Sequence, residues 1–222
     1  MRLFLDTANI DEIREAARLG VISGVTTNPT LMAREQGVDY KDRVVEICEV
    51  VNGPVSAECL SRDVPGLIAE AKEVASWHPN VVVKIPIDAA GLEATSKLAR
   101  EGVKVNMTLV FSANQALLAA LAGAAYVSPF VGRLDDAGHD GMEVVRDAVE
   151  IIDRYRLPSQ VIAASLRHPG HVIAAAKCGA PIATMPYQVF SAMLKHPLTD
   201  AGIERFLADA RRYLKSEARR GN

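Results

Sequence analysis

Short apolar runs alternate with amphipathic segments along the whole chain. The runs have strand length and lie between turn residues, and the segments between them repeat apolar residues at helical spacing. RLFLDT (Arg2–Thr7) reads as a first strand. Asn9 then opens a helix with Glu12 three places on, a capping-box-like start, and Gly20 ends it by tolerating positive φ. GVTTN follows as strand and loop, then a short turn and a helix from about Asp39 to Val51. PVSAECL is a third strand, with a helix to about Ser76. VVVKIP (Val81–Pro86) is the fourth, and its helix runs from Asp88 to Glu101 with Gly102 behind it. VKVNMTLV is the fifth; Ser112 and Gln115 form an S-x-x-Q box before LLAALA, and Gly123 closes that helix. AYVSPFV is the sixth strand. Asp140 and Glu143 start the next helix, with Val144, Val145, Ala148, Ile151 and Ile152 on one side. QVIAAS is the seventh strand, and Pro169 sits near a helix start, where its missing N–H costs little. APIATM is the eighth, followed by a helix from about Gln188. Thr199 caps a last amphipathic helix, about 199–216, carrying Ile203, Phe206, Leu207, Ala210 and Leu214.

Eight strand–helix units in this length predict an α/β fold: one (β/α)8 TIM barrel over residues 1–222, a single domain with a C-terminal helix. A doubly wound sheet is the alternative. Against it, the chain has no GxGxxG and no GxxxxGK[ST]. No linker, low-complexity tract or clear repeat interrupts the pattern.

Composition narrows the function classes. The 222 residues are 49% hydrophobic and 23% charged, which is ordinary for a globular chain able to bury a large core. A net charge of −2 supplies no field for nucleic acid or an anionic membrane. The basic stretch from Arg211 to Arg220 is mixed with Glu217 and reads as a solvated helix end. Cys48, Cys59 and Cys178 are odd in number and lack any CxxC, which suits reduced thiols in a cytoplasmic protein. Asp6 precedes any signal-like run, and the alanine/leucine-rich run around Leu117–Val127 is too short to span a bilayer.

In a barrel the active site lies at the C-terminal ends of the strands. Those ends carry Asp6, then Thr26 and Asn28, Glu58, Lys84, Asn106 and Thr108, Ser128 and Arg133, and Ser165 and Arg167. The eighth strand, ending in Thr184 and Met185, is less informative. Each residue has two readings. Lys84 could be a buried stem whose ammonium reaches solvent, or a nucleophile whose desolvated amine attacks a carbonyl. Asp6 and Glu58 could simply pair with cations, or could shuttle protons beside that amine. Asn28 before Pro29 could be turn chemistry. Arg133 and Arg167 could be surface charges or a forked clamp for phosphate. His168 and His171 open a helix; no third ligand or HExxH context supports a metal site there. Trp77 is most simply a packing residue.

FLDTAN (Phe4–Asn9), GVTTNPTL (Gly24–Leu31), VVVKIP, NMTLVFSANQA (Asn106–Ala116), SPFVGR (Ser128–Arg133) and AASLR (Ala163–Arg167) together resemble the transaldolases. The short length resembles the small bacterial and archaeal subgroup. The resemblance implies a class I Schiff-base mechanism without metal or other cofactor, acting on sugar phosphates in the pentose phosphate pathway. Lys84 would form the imine with a ketose phosphate, fructose 6-phosphate or sedoheptulose 7-phosphate. The acceptor would be erythrose 4-phosphate or glyceraldehyde 3-phosphate. Glu58 would orient a proton-relaying water, with Thr108 positioning it and Thr26 supporting that shell. Asp6 would act as base on the C4 hydroxyl. Asn28 and Asn106 would hold donor hydroxyls, and Ser128 the dihydroxyacetone unit. Phe130 would line the substrate site. Arg133, Ser165 and Arg167 would bind the distal phosphate. Fructose-6-phosphate aldolase, which releases free dihydroxyacetone, is the near alternative. That enzyme's pattern resembles a glutamine and a tyrosine where this chain has Glu58 and Phe130, and Asn106 within NMT also follows the transaldolase pattern. A non-catalytic sugar-phosphate-binding barrel is the remaining alternative. Small members of the family also form homo-oligomers, pentamers or decamers, with the C-terminal helix at contacts.

Overall fold

All eight apolar runs form strands in the computed structural model, which describes residues 1–35 and 37–220, with side chains to residue 214. They are β1 (Arg2–Asp6), β2 (Ile22–Thr26), β3 (Val55–Glu58), β4 (Val81–Pro86), β5 (Val105–Val110), β6 (Tyr126–Pro129), β7 (Gln160–Ala163) and β8 (Ile182–Met185). Neighbours in sequence pair in parallel, and β8 pairs back onto β1, so the sheet closes into a barrel. Closure excludes the doubly wound alternative. Strands covered on both faces need apolar side chains in both directions, which explains runs without alternation.

The helices are α1 (Ile10–Arg18), α2 (Pro29–Met32), α3 (Tyr40–Val50), α4 (Val64–Ser76), α5 (Ala89–Arg100), α6 (Ala113–Leu121), α7 (Val131–Asp136), α8 (Gly141–Arg154), α9 (Pro169–Lys177), α10 (Tyr187–Met193) and α11 (Pro197–Arg220). Asn9 caps α1 by accepting from the N–H groups of Asp11 and Glu12, both at 3.1 Å. The return half of that box is relayed: Asn9 N–H donates to Thr7 Oγ1 at 3.2 Å, and the Thr7 hydroxyl donates to Glu12 at 2.6 Å. At α6, Ser112 Oγ accepts from Gln115 N–H at 3.2 Å. Gln115 Oε1 reaches back one residue further than expected, to Phe111 N–H at 2.7 Å. Gly20 has φ +71, as its place behind α1 requires.

Three features depart from expectation. The strand expected over AYVSPFV stops at Pro129, because Val131 and Gly132 donate to the carbonyls of Ala164 and Ser165, both at 3.0 Å, and the chain turns into α7. The buried face of α8 is Met142, Val145, Ala148, Val149 and Ile152; Val144 and Ile151 flank it, half-buried. The last helix starts at Pro197, so Thr199 lies inside it. Proline is suited to that first position, and His196 Nδ1 takes the Leu198 N–H at 3.2 Å in the capping role assigned to Thr199.

Contacts divide the chain into two compact units, Met1–Phe190 and Ser191–Asn222. The whole barrel lies in the first. The second contains α11, whose Ile203, Phe206, Leu207 and Leu214 are all exposed.

Inside the barrel an apolar floor underlies a polar layer. Phe4, Ile162 and Ile182 pack together with Tyr126 against them. Arg2 lies over the Phe4 ring, 5.7 Å from its centroid, and donates to Gln160. Gly24 on β2 makes room for that ring: a Cβ there would lie 2.5 Å from Phe4 ring carbons. Above the floor Thr26, Ser56, Lys84, Asn106, Thr108, Ser128 and Thr184 are all buried. Burying so many polar groups is unfavourable unless each finds a partner, so this layer is where chemistry is expected.

Gly24→Ala is expected to destabilise the protein by about 1–3 kcal/mol through overpacking. Adding Phe4→Leu should recover part of that loss in denaturant unfolding. Equal stability of Gly24→Ala and the unsubstituted protein would show that the ring does not fill that space.

Candidate active site

Lys84 stands between Glu58 and Asn106 in the strand register. Its neighbours Val83 and Ile85 point the other way into apolar packing and are fully buried. The residue is 4% exposed, so its ammonium depends on the barrel for partners. Nζ lies 2.9 Å from Glu58 Oε2 and donates to the Thr27 carbonyl at 3.1 Å. Glu58 is held through its main chain: its N–H donates to the Tyr40 hydroxyl at 2.6 Å. Tyr40 comes from α3 and meets Trp77 edge-on at 5.4 Å. Burial pushes the Tyr40 phenol up to about 12, so it stays neutral beside the carboxylate.

A second cluster surrounds Asp6. The Thr26 hydroxyl donates to Asp6 Oδ1 at 2.7 Å. Thr26 Oγ1 is also 2.7 Å from Thr184 Oγ1. With the Thr26 proton committed to Asp6, Thr184 is the donor in that second bond. Burial raises the Asp6 carboxyl above its ordinary value; Lys84, the Thr26 hydrogen bond and Arg133 oppose the rise, while Glu58 adds to it.

A third cluster fixes Asn106. Its Nδ2 donates to Ser56 Oγ at 3.0 Å, and its Oδ1 accepts from the Ser128 hydroxyl at 2.7 Å. Thr108, two residues on, is fully buried, and its hydroxyl has no hydrogen-bond partner among the described residues. Asn28 is both turn and site residue: Oδ1 caps α2 by accepting Leu31 N–H at 3.0 Å, and the side chain lines the cavity.

The fourth cluster is cationic. The Arg133 guanidinium lies 5.1 Å from the Phe130 ring centroid, and Phe130 in turn meets Phe111 edge-on at 5.8 Å. Ser165 adopts φ +59, a left-handed conformation uncommon outside glycine. Gly132 permits this turn to approach: a Cβ there would sit 2.3 Å from the Ser165 carbonyl oxygen and 2.4 Å from Arg167 Nε. Arg167 is half exposed and pairs with Asp136 at 2.7 Å.

One cavity of about 510 Å³ joins the clusters. Asp6, Thr26, Asn28, Lys84, Ser128, Phe130, Arg133, Ser165 and Arg167 all line it. Glu58, Asn106 and Thr108 are not on its wall; the first two reach it through Lys84 and Ser128, as described. Among the described residues no group of three or more His, Cys, Asp and Glu side chains could hold a metal ion. One contributor, Tyr40, escaped the sequence reading, and a second, Thr184, was set aside there as less informative. Thr184 carries the same signal as Thr26, a hydroxyl at a strand end. Tyr40 carries none, because it begins a helix distant in sequence from Glu58.

The arrangement places an amine, two carboxyl groups, a set of neutral hydrogen-bonding groups and two arginines around one cleft. That can form and hydrolyse an imine, move protons beside it and hold an anion at the far end.

Comparison with known proteins identifies the family. A family model described as transaldolase/fructose-6-phosphate aldolase matches residues 3–222. A Heliobacterium modesticaldum protein named probable transaldolase is 65% identical over 209 residues, covering 94% of this chain and 97% of the relative. A Desulforudis audaxviator protein of the same name is 66% identical over 215 residues, covering 97% and 100%. A third, from a Thermoanaerobacter species, is 59% identical over 212 residues, covering 96% and 98%.

A carboxyl raised by burial is stabilising only in its protonated form: its contribution is present below the unfolded value and lost as pH rises through the folded one. Asp6 is therefore a liability at neutral pH. Asp6→Asn is expected to raise stability at pH 7 by about 0.5–2 kcal/mol, with the difference vanishing in acid. Thermal unfolding at several pH values measures this, and a lower midpoint for the variant at pH 7 would contradict it.

Proposed function

The chain belongs to the transaldolase/fructose-6-phosphate aldolase family, and from that premise we propose that it is a transaldolase working through an imine on Lys84. The observation that carries this reading is the buried amine, 2.9 Å from Glu58 and open to the cavity.

The Lys84 ammonium gives a proton to Glu58, 2.9 Å away, and the freed amine attacks the C2 carbonyl of a ketose phosphate, fructose 6-phosphate or sedoheptulose 7-phosphate. A proton passes to the C2 oxygen, which leaves as water. Glu58 serves this transfer through a water that the otherwise unpartnered Thr108 hydroxyl helps to hold, with Thr26 supporting the shell. Asp6 then takes the C4 hydroxyl proton as the C3–C4 bond breaks. The raised proton affinity of Asp6 suits it to that task. The bond's electrons flow into the protonated imine, leaving a three-carbon enamine on Lys84 and a free aldose phosphate. Addition of the enamine to an acceptor aldehyde, erythrose 4-phosphate or glyceraldehyde 3-phosphate, reverses the steps, and hydrolysis releases the new ketose. Ser128, oriented by Asn106, holds the dihydroxyacetone unit, and Asn28 a donor hydroxyl. Phe130 walls the cleft. Arg133, Ser165 and Arg167 bind the distal phosphate by forked, charge-assisted hydrogen bonds. This is a step of the pentose phosphate pathway, and three free thiols suit a reducing cytoplasm. The exposed apolar stripe of α11 supports assembly with further copies, a pentamer or decamer. Among the described residues no helix is long and apolar enough to cross a membrane.

Fructose-6-phosphate aldolase is the second reading, since the family contains both. Glu58 and Phe130 favour transfer. In the test, fructose 6-phosphate is supplied with and without erythrose 4-phosphate, and free dihydroxyacetone is measured. A transaldolase turns over steadily only with acceptor. Free dihydroxyacetone released without acceptor, as fast as transfer, would make it an aldolase. Glu58→Gln is expected to slow transfer by about 10²-fold and to raise the share of cleavage. Unchanged transfer rates would remove Glu58 from the proton relay.

A further inference from the structure

The histidines at the start of α9 have no part in the chemistry above, yet one of them touches the phosphate arm. His171 Nδ1 accepts the main-chain N–H of Arg167 at 3.2 Å. Its other nitrogen, Nε2, lies 3.2 Å from Asp135 Oδ2 on α7. Asp135 is itself fixed, its Oδ1 accepting Gly141 N–H at 3.0 Å. The two contacts define one tautomer: Nε2 carries the proton and Nδ1 is bare. A doubly protonated ring would aim an N–H at the Arg167 N–H and lose that bond.

The position has a meaning in the helix. With His168 as cap and Pro169 first, His171 is the third residue of α9. Gln115 is the third residue of α6, and it also reaches back to the N–H just before its cap residue, that of Phe111. The two sites solve the same problem, but one uses a side chain that never titrates and the other an imidazole. The residue pinned at α9 is Arg167, whose guanidinium pairs with Asp136 and lines the cavity.

We propose that His171 is a positioning residue for the phosphate arm: its neutral imidazole holds the Arg167 main chain, and protonation releases it, weakening the grip on the phosphate end of the substrate. This rests on the assignment of Arg167 to the distal phosphate. The charged and titratable groups facing His171 are Asp135 from α7, Arg167 from the strand-end loop, and His168, whose ring lies tilted against it, centroids 3.8 Å apart. Burial chiefly lowers the His171 proton affinity; His168 and Arg167 lower it further and Asp135 opposes them. The neutral form is therefore complete above the ordinary histidine value of about 6.5 and is lost as pH falls through the lowered one.

The test compares kcat/KM for fructose 6-phosphate with that for fructose, which lacks the phosphate. In a double-displacement reaction neither value depends on the acceptor. His171→Ala should lower the value for fructose 6-phosphate about threefold to tenfold, the worth of one hydrogen bond, and leave that for fructose within about twofold. His171→Gln should restore it, as Gln115 does the same task in α6. In the unsubstituted enzyme the preference for the phosphorylated donor should fall below about pH 6.5, more steeply than in His171→Gln. Titration of the phosphate itself, near pH ~6, is common to both proteins and cancels. Equal losses on both donors in His171→Ala, or identical acid profiles for His171→Gln and the unsubstituted enzyme, would overturn the proposal. Arg167→Ala separates the two layers. If it leaves the preference intact, the phosphate assignment itself fails. If it abolishes the preference while His171→Ala does not, only the role of His171 fails.

Discussion

Everything in the upper barrel follows from one buried ion pair. An ammonium and a carboxylate 2.9 Å apart, with Lys84 only 4% exposed, are stable only if their remaining valences are met. The fold meets part of that need from three elements. β4 brings the amine, β3 the carboxylate, and the Thr27 carbonyl behind β2 takes a further N–H. The Tyr40 hydroxyl pins the Glu58 main chain from α3. The pair is therefore held from outside the barrel as well as within it. An amine held in this way, poorly solvated, beside a cavity and against a carboxylate that can take its proton, meets the requirements of covalent chemistry in a way a surface lysine does not.

Around that pair the barrel separates tasks by strand. β8, β1 and β2 carry Thr184, Asp6 and Thr26, a hydroxyl chain ending on a carboxyl whose proton affinity burial raises. β3, β5 and β6 carry Ser56, Asn106 and Ser128, a neutral chain that fixes an amide's orientation. The ends of β6 and β7 carry the arginines. Parallel strands in sequence order make this division possible, because each contributes its last inward side chains at one level and its following loop at another. The apolar floor of Phe4, Ile162 and Ile182 underlies these polar groups, and the cavity opens above them.

The strands were legible because closure of a parallel barrel demands continuous apolar runs. The helix starts were legible where Asn, Asp or Ser supplied the cap. The start of α11 was not, since a proline and a histidine ring did the work that a threonine two residues on promised. Candidate side chains at strand ends were legible by their recurrence, and nine of the twelve named from the sequence line the cavity while Glu58, Asn106 and Thr108 stand behind its wall. Contacts that bridge strands to helices carry no local signal. Nothing near Tyr40 in the sequence announces Glu58, and nothing in SLRHPGH states which ring nitrogen is bare. Motif likeness supplied roles for the residues. It could not supply the hydrogen bonds that orient them.

Covalent carriage of the substrate on Lys84 is open to a single direct measurement. Incubation with fructose 6-phosphate followed by borohydride, then digestion and mass spectrometry, reads this directly. One reduced three-carbon adduct is expected, located on Lys84, and none in Lys84→Ala. An adduct on another lysine, or full transfer activity with Lys84 unmodified, would contradict it.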